Sequence, residues 1–264
     1  MKITVFSSNQ RRHIAYINRL AMVTESVHAV LETSTLFPGE VDSFYRKSPV
    51  MQAYFSNVLQ SEERLFPGDR FLDKDVQVLT GSFGDLNKLS HDDLEGALDS
   101  DIYLVFGSSF IKGWLIKFLI ERQAINIHMG LSPYYRGAAC NFWAVHDERP
   151  SFVGATVHRL SEGLDSGPIL FHSRPSYDGE NPFDFTMKAV DQVQRDIVGT
   201  IENGKLLSFP SFSQDPSEEI RYSTKADFTD EVAEEFLRKT PDSRQMRDML
   251  ERGPIPNLVF ANDE

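Results

Sequence analysis

The sequence predicts an α/β protein with a mostly parallel sheet flanked by helices. Two observations carry this. Short apolar runs of strand length alternate with longer stretches whose apolar residues recur at helical spacing, and glycine, proline or small polar residues fall between them. Residues 3–6 are apolar and close on Ser7-Ser8-Asn9, which reads as a strand and its turn. A helical pattern follows over residues 12–23, and another over 41–64, broken by Phe66-Pro67-Gly68. Residues 76–79 are a β-rich run. Residues 101–106 are another, ending at Gly107-Ser108-Ser109, and 124–128 a third. Helical patterns at 91–98 and 112–121 separate them, so the strands need crossovers and read as parallel and Rossmann-like.

After Gly130 the pattern changes. Residues 130–137 form a loop with turn residues at both ends, 139–147 a short helix, and 153–159 and 169–172 two strands. The clearest helix starts after Asn181, with Pro182 at its first position and Asp184 in its first turn. Phe183, Met187, Val190, Val193, Ile197 and Ile201 form its apolar face, and Gly204 stops it. Beyond Phe209 the chain turns polar and proline-punctuated. The expected organisation is a domain over 1–209 and an extension over 210–264, wrapped on that domain rather than forming a second core.

Composition narrows the function classes. Of 264 residues, 39 are Asp or Glu and 27 Lys or Arg, a formal net charge of −12. An acidic surface without a long basic run disfavours nucleic acid as a main partner. The single cysteine, Cys140, excludes an internal disulfide and a cysteine-rich zinc site, and suits a reducing cytoplasm. The seven histidines lack metal-ligand spacing such as His-Glu-x-x-His, so no metal is expected. No apolar stretch has membrane-spanning length, and the N-terminus lacks a signal-peptide pattern. A helix in the tail is a candidate surface for a homodimer.

Three segments have the residue types for chemistry. Asn126 and His128 lie two apart on a predicted strand, so they project from one face at its carboxyl end, where open α/β sheets bind ligands. Asp165 sits in a tight loop bracketed by Gly163, Gly167 and Pro168. Ser108, Ser109, Phe110 and Ile111 follow another strand, where backbone groups can lie against a flat heteroaromatic ring. Each alone is also compatible with an ordinary strand end or turn.

Together they form an order of motifs: Asn126-x-His128, then Gly130-Leu131-Ser132-Pro133-Tyr134-Tyr135-Arg136-Gly137, then Gly154-Ala155-Thr156-Val157-His158, then Gly163-Leu164-Asp165-Ser166-Gly167-Pro168. This order resembles the folate-dependent formyltransferases, a family that includes glycinamide ribonucleotide transformylase, methionyl-tRNA formyltransferase and sugar N-formyltransferases. The resemblance is strongest over about residues 100–175. One departure is Gly130-Leu131-Ser132-Pro133, where the family has Ser-Leu-Leu-Pro. The resemblance implies transfer of a formyl group from 10-formyltetrahydrofolate to an amine, without metal or covalent enzyme intermediate. Asn126 and His128 would donate to the developing oxyanion, and Asp165 would orient or charge His128 and help relay the proton. The folate ring would pack on Ser108, Ser109, Phe110 and Ile111 and on the loop through Gly163 and Leu164.

For the acceptor, the expectation is a small molecule, namely a nucleotide-linked amino sugar, with Ser7, Ser8, Asn9, Arg11 and Tyr134 as candidate contacts. The first strand leads into Ser7-Ser8-Asn9-Gln10-Arg11-Arg12 without the glycines that cradle the phosphate of glycinamide ribonucleotide. The short acidic tail is a poor platform for methionyl-tRNA, the first alternative. A formyltetrahydrofolate hydrolase is the second, and a non-catalytic ligand-binding protein on the same fold the third. A nicotinamide oxidoreductase is disfavoured because no Gly-x-Gly-x-x-Gly turn follows the first strand.

Overall fold

The apolar runs pair into one sheet whose carboxyl edge carries the candidate residues. The structure, a computed structural model, describes residues 1–41, 47–68 and 70–261. The first half runs β1 (Lys2–Ser8), α1 (Arg11–Val23), β2 (Ser26–Thr33), α2 (Pro49–Leu65), β3 (Val76–Ser82), β4 (Ile102–Val105), α3 (Gly113–Glu121) and β5 (Ile125–His128). The chain continues with β6 (Tyr135–Gly137), α4 (Cys140–His146), β7 (Ala155–Arg159), β8 (Ile169–Ser173) and α5 (Pro182–Glu202). It ends with β9 (Arg221–Ser223), α6 (Asp230–Lys239) and α7 (Ser243–Arg252).

The seven-stranded sheet has the order β3-β2-β1-β4-β5-β7-β8. The first five neighbours are parallel, and β7 runs antiparallel to both β5 and β8. Parallel central strands buried on both faces account for the unbroken burial of β1 after Lys2 and of the apolar run of β4. One core joins the sheet to α1 and α5, through residues such as Ile17, Leu20, Val193 and Ile197. A second fills the other face beneath α3, through Phe6, Leu115 and Leu119.

Three elements differ from the sequence expectations. Strand β2, central to the sheet, lies in a stretch where no strand was expected; its polar His28 and Glu32 interrupt the apolar run. The helix expected over 41–64 begins at Pro49, where the Ser48 hydroxyl caps it by accepting from the Met51 N–H at 3.1 Å; residues 42–46 lie outside the described residues. The helix expected at 91–98 is a 3-10 turn over Asp92–Leu98, in which Leu94 and Ala97, three apart, face the core together. In the extension, β9 pairs with β6, and α6 and α7 follow it. Its buried Phe228, Ala233, Phe236 and Met246 join one cluster with Met51, Tyr54, Phe142 and Trp143. Asn181 caps α5 as its sequence signals require, accepting from the Asp184 N–H at 3.0 Å.

Candidate active site

The carboxyl end of β5 carries Asn126 and His128 toward the loop between β7 and β8, which carries Asp165. The His128 Nδ1 lies 3.3 Å from Asp165 Oδ2, with both side chains buried. Asn126 Nδ2 donates to Asp165 Oδ1 at 3.4 Å, a long bond. Gly137 N–H reaches the same carboxylate at 3.3 Å. The other ring nitrogen of His128 faces the Tyr135 carbonyl at 3.1 Å. The structure therefore brings the three sequence-predicted residues together around one carboxylate.

Backbone geometry makes this approach possible. Asp165 holds a left-handed φ of 47°, which turns its side chain back toward β5. A Cβ on Gly167 would stand 1.8 Å from the Arg159 carbonyl, so only glycine lets the loop close. A Cβ on Gly130 would stand 2.6 Å from His128 Nε2 and 2.5 Å from the Cys140 Cβ. Cys140 itself donates only to the Gly137 carbonyl, and burial, aided by the Asp165 charge, pushes its thiol up out of the reactive range.

Two site residues were not assigned roles from sequence. In the antiparallel register, His158 stands opposite Asn126 and Thr156 opposite His128. The His158 Nδ1–H donates to the Arg159 carbonyl at 2.8 Å, so its Nε2 is a bare acceptor for Asn126 Nδ2 at 3.0 Å. Complete burial pushes His158 down to about 4, which keeps the ring neutral and the acceptor available. His158 thereby fixes which way the Asn126 amide points. Thr156 accepts from Ser132 N–H at 2.8 Å and donates to the Gly130 carbonyl at 2.7 Å, holding the loop after β5.

The loop after β4 is anchored by Glu32, a third residue without a sequence signal. Its buried carboxylate accepts from the Ser109 N–H at 2.5 Å, the Ser109 hydroxyl at 2.9 Å, and the N–H groups of Gly84 and Leu86 at 2.7 and 3.2 Å. Ser108 donates to the Ser109 carbonyl, and Ile111 is buried. Phe110 leaves 45% of its surface exposed, and Leu164, in the loop that carries Asp165, 38%. A cavity of about 290 Å³ beside this loop is lined by Phe110, Ile111, Lys112, Ile116 and Glu162, among others. Gly163 contributes its carbonyl to the Ser161 hydroxyl.

The residues expected to touch an acceptor are engaged internally. Ser7 donates to the Phe106 carbonyl at 2.7 Å, and Ser8 pairs with His13 Nδ1 at 2.5 Å. Asn9 exchanges bonds with Ser34, and Arg11 binds the Phe66 and Gly68 carbonyls. The Tyr134 hydroxyl donates to the Asn257 carbonyl and accepts from its N–H. Ser8 and Asn9 still sit at the carboxyl end of β1, beside the β4 end that leads to Ser109.

Comparison with known proteins places the arrangement. Residues 98–196 match the family model described as formyl transferase, a span that includes Asn126, His128 and Asp165. Residues 98–196 are a formyl transferase domain. Methionyl-tRNA formyltransferase of Methylibium petroleiphilum is 31% identical over 190 residues, which cover 69% of this chain and 56% of that protein. The chain spans about half the length of the curated relatives it matches. Among solved structures, a 4-N formyltransferase from Francisella tularensis shares the fold with a TM-score of 0.55 at 19% identity, covering 98% of this chain and 95% of that one. An N-formyltransferase from Helicobacter canadensis, in complex with folinic acid and dTDP-3-aminofucose, has a TM-score of 0.53 at 13% identity, covering 87% and 73%. Among the described residues, no helix is long and apolar enough to cross a membrane, and no group of three or more His, Cys, Asp or Glu is placed to hold a metal ion.

Proposed function

We propose that this chain transfers a formyl group from 10-formyltetrahydrofolate to the amine of a nucleotide-linked amino sugar. The observation that carries the reading is the convergence of Asn126 Nδ2 and His128 Nδ1 on the Asp165 carboxylate, at 3.4 and 3.3 Å. An amide donor and an imidazole already held beside one carboxylate, one on each of its oxygens, leave little to reorganise when charge develops on the formyl oxygen. The folate-like donor suits the adjoining loop. Flat ring systems need apolar surface and fixed backbone groups, and Phe110, Leu164 and the Glu32-anchored Ser109 supply both. The donor supplies an activated formyl carbon, which the acceptor amine attacks.

The chain's own residues then have distinct tasks. Asn126 directs one amide hydrogen to His158, and the hydrogen on the long 3.4 Å contact is the one it can offer to the formyl oxygen. His128 keeps Nε2–H on the Tyr135 carbonyl, which steadies its ring, and turns Nδ1 toward Asp165 beside the place of the formyl group. Asp165 holds the imidazole and accepts a proton from the attacking amine, and that proton passes to N10 of tetrahydrofolate as its bond to the formyl carbon breaks. The burial of His128 and Asp165 limits water, which would otherwise compete with the amine.

The sugar acceptor is supported by the neighbour solved with an amino-sugar nucleotide and by the full-length likeness to a 4-N formyltransferase. A second reading, methionyl-tRNA as acceptor, is favoured by the sequence relatives, and the charge of −12 weighs against it. The test is release of tetrahydrofolate from 10-formyltetrahydrofolate, followed by absorbance with amino-sugar nucleotides, methionyl-tRNA, glycinamide ribonucleotide or water alone. Turnover dependent on an amino-sugar nucleotide is expected. Turnover with methionyl-tRNA alone would establish the second reading, and turnover in water alone would make the protein a hydrolase. His128→Ala and Asp165→Ala are expected to lower kcat by about 10²–10⁴-fold with the fold intact. Near-normal turnover in either variant would remove the mechanism.

A further inference from the structure

Residues 210–220 are exposed, with one exception: Gln214 turns inward. Its Nε2 donates to the Asp165 carbonyl at 2.9 Å and to the Gly167 carbonyl at 2.7 Å. The amide cannot be reversed, because its oxygen would then face both carbonyls. That oxygen is buried and has no hydrogen-bond partner, so the side chain tolerates an unsatisfied atom while it bridges the two carbonyls. Two residues earlier, Phe212 exchanges both backbone bonds with Ile169 at the start of β8, at 2.8 Å each, which fixes the segment in register beside the turn. Arg136 holds the same turn from the other side, donating to the Leu164 carbonyl at 2.8 Å while paired with Glu219 of the extension.

The turn needs such restraint. Asp165 is a non-glycine residue in left-handed backbone, a conformation that persists only when its surroundings over-determine it. Its carboxylate lies 3.3 Å from His128, a separation that a small rotation of the turn would lengthen beyond pairing distance.

We infer that Gln214 is a positioning residue of the active site: it clamps the turn that aims Asp165 at His128, so that the segment after residue 209 completes the catalytic arrangement. This rests on the formyl-transfer reading only for its kinetic consequence. The geometric claim, that Gln214 sets the Asp165 conformation, stands apart from it.

The test is Gln214→Met, which keeps side-chain volume and removes both donors. Steady-state kinetics with 10-formyltetrahydrofolate and the best acceptor are compared with a crystal structure of the variant. The expected result is a kcat lower by about 10–100-fold, with KM for each substrate within about threefold, since the lost interaction matters most in the transition state. The crystal structure is expected to show Asp165 more than about 4 Å from His128 Nδ1, outside ion-pair distance. A merely structural role would raise KM or lower the melting temperature and leave the Asp165–His128 separation unchanged. A kcat within twofold of the parent, or an unmoved Asp165 in the variant, overturns the inference. If the parent protein transfers formyl to no acceptor, the proposed function falls, and the Asp165–His128 distance in the variant still decides the role of Gln214.

Discussion

Replacing His158 by glutamine should make the protein less sensitive to acid. His158 is buried, and burial pushes it down to about 4, while the unfolded chain returns it to its ordinary value of 6.5. Between these values the unfolded state binds the extra proton. Stability is therefore complete above pH 6.5 and is lost as pH falls toward 4. The full separation is worth about 3 kcal/mol, and by pH 5 linkage gives about 2 kcal/mol of loss from this one ring. Burial also lowers His13 and His172, so they add loss of the same sign. The discriminating quantity is thus a difference between proteins. Urea unfolding at pH 7.5 and pH 5.0 should show His158→Gln losing about 2 kcal/mol less than the parent over that interval. If parent and variant lose the same amount, the ring is not held neutral by burial. Its role as a bare acceptor for Asn126 would then fail with it.

Two further substitutions test how the site is held. Glu32→Gln replaces an acceptor of four bonds by a group with one acceptor oxygen, leaving some of the Ser109, Gly84 and Leu86 donors unpaired. The KM for 10-formyltetrahydrofolate should rise about tenfold with a smaller change in kcat, measured in the tetrahydrofolate-release assay; a selective fall in kcat would detach Glu32 from donor binding. Gly167→Ala places a methyl group 1.8 Å from the Arg159 carbonyl, so the turn must shift and carry Asp165 with it. A stability loss of about 1–3 kcal/mol in urea is expected, with kcat falling at least as far as in Gln214→Met. An unchanged kcat would show that the turn has more freedom than its contacts allow.

Sequence made the layered fold legible where local signals agree with burial. The cap at Asn181, the proline at 182 and the apolar spacing of α5 all favour the same helix. Strand β2 was hidden for a physical reason. Its fifth buried position is Glu32, a carboxylate that belongs inside the protein only because four donors from distant segments meet it. A local pattern reads such a residue as surface. The turn at 92–98 had helical composition, but an apolar spacing of three suited the tighter helix.

The site divides along the same line. Asn126 and His128 were legible because residues two apart on one strand share a face, which needs no knowledge of neighbours. His158 also lies on a strand, but its role depends on β7 running antiparallel beside β5, so that it stands opposite Asn126. Pairing partners are a property of the sheet, and the sequence of β7 does not name them. Gln214 lies further still from local inference, in a polar segment where one amide among exposed neighbours reaches the turn at 165–167. The residues that can do chemistry were therefore readable from their own segments, while those that aim them are defined by contacts across 32 to 49 positions of chain. Supporting residues of this kind are found by asking which buried donors and acceptors hold a reactive side chain in place. In this protein that question leads from Asn126 to His158 and from Asp165 to Gln214.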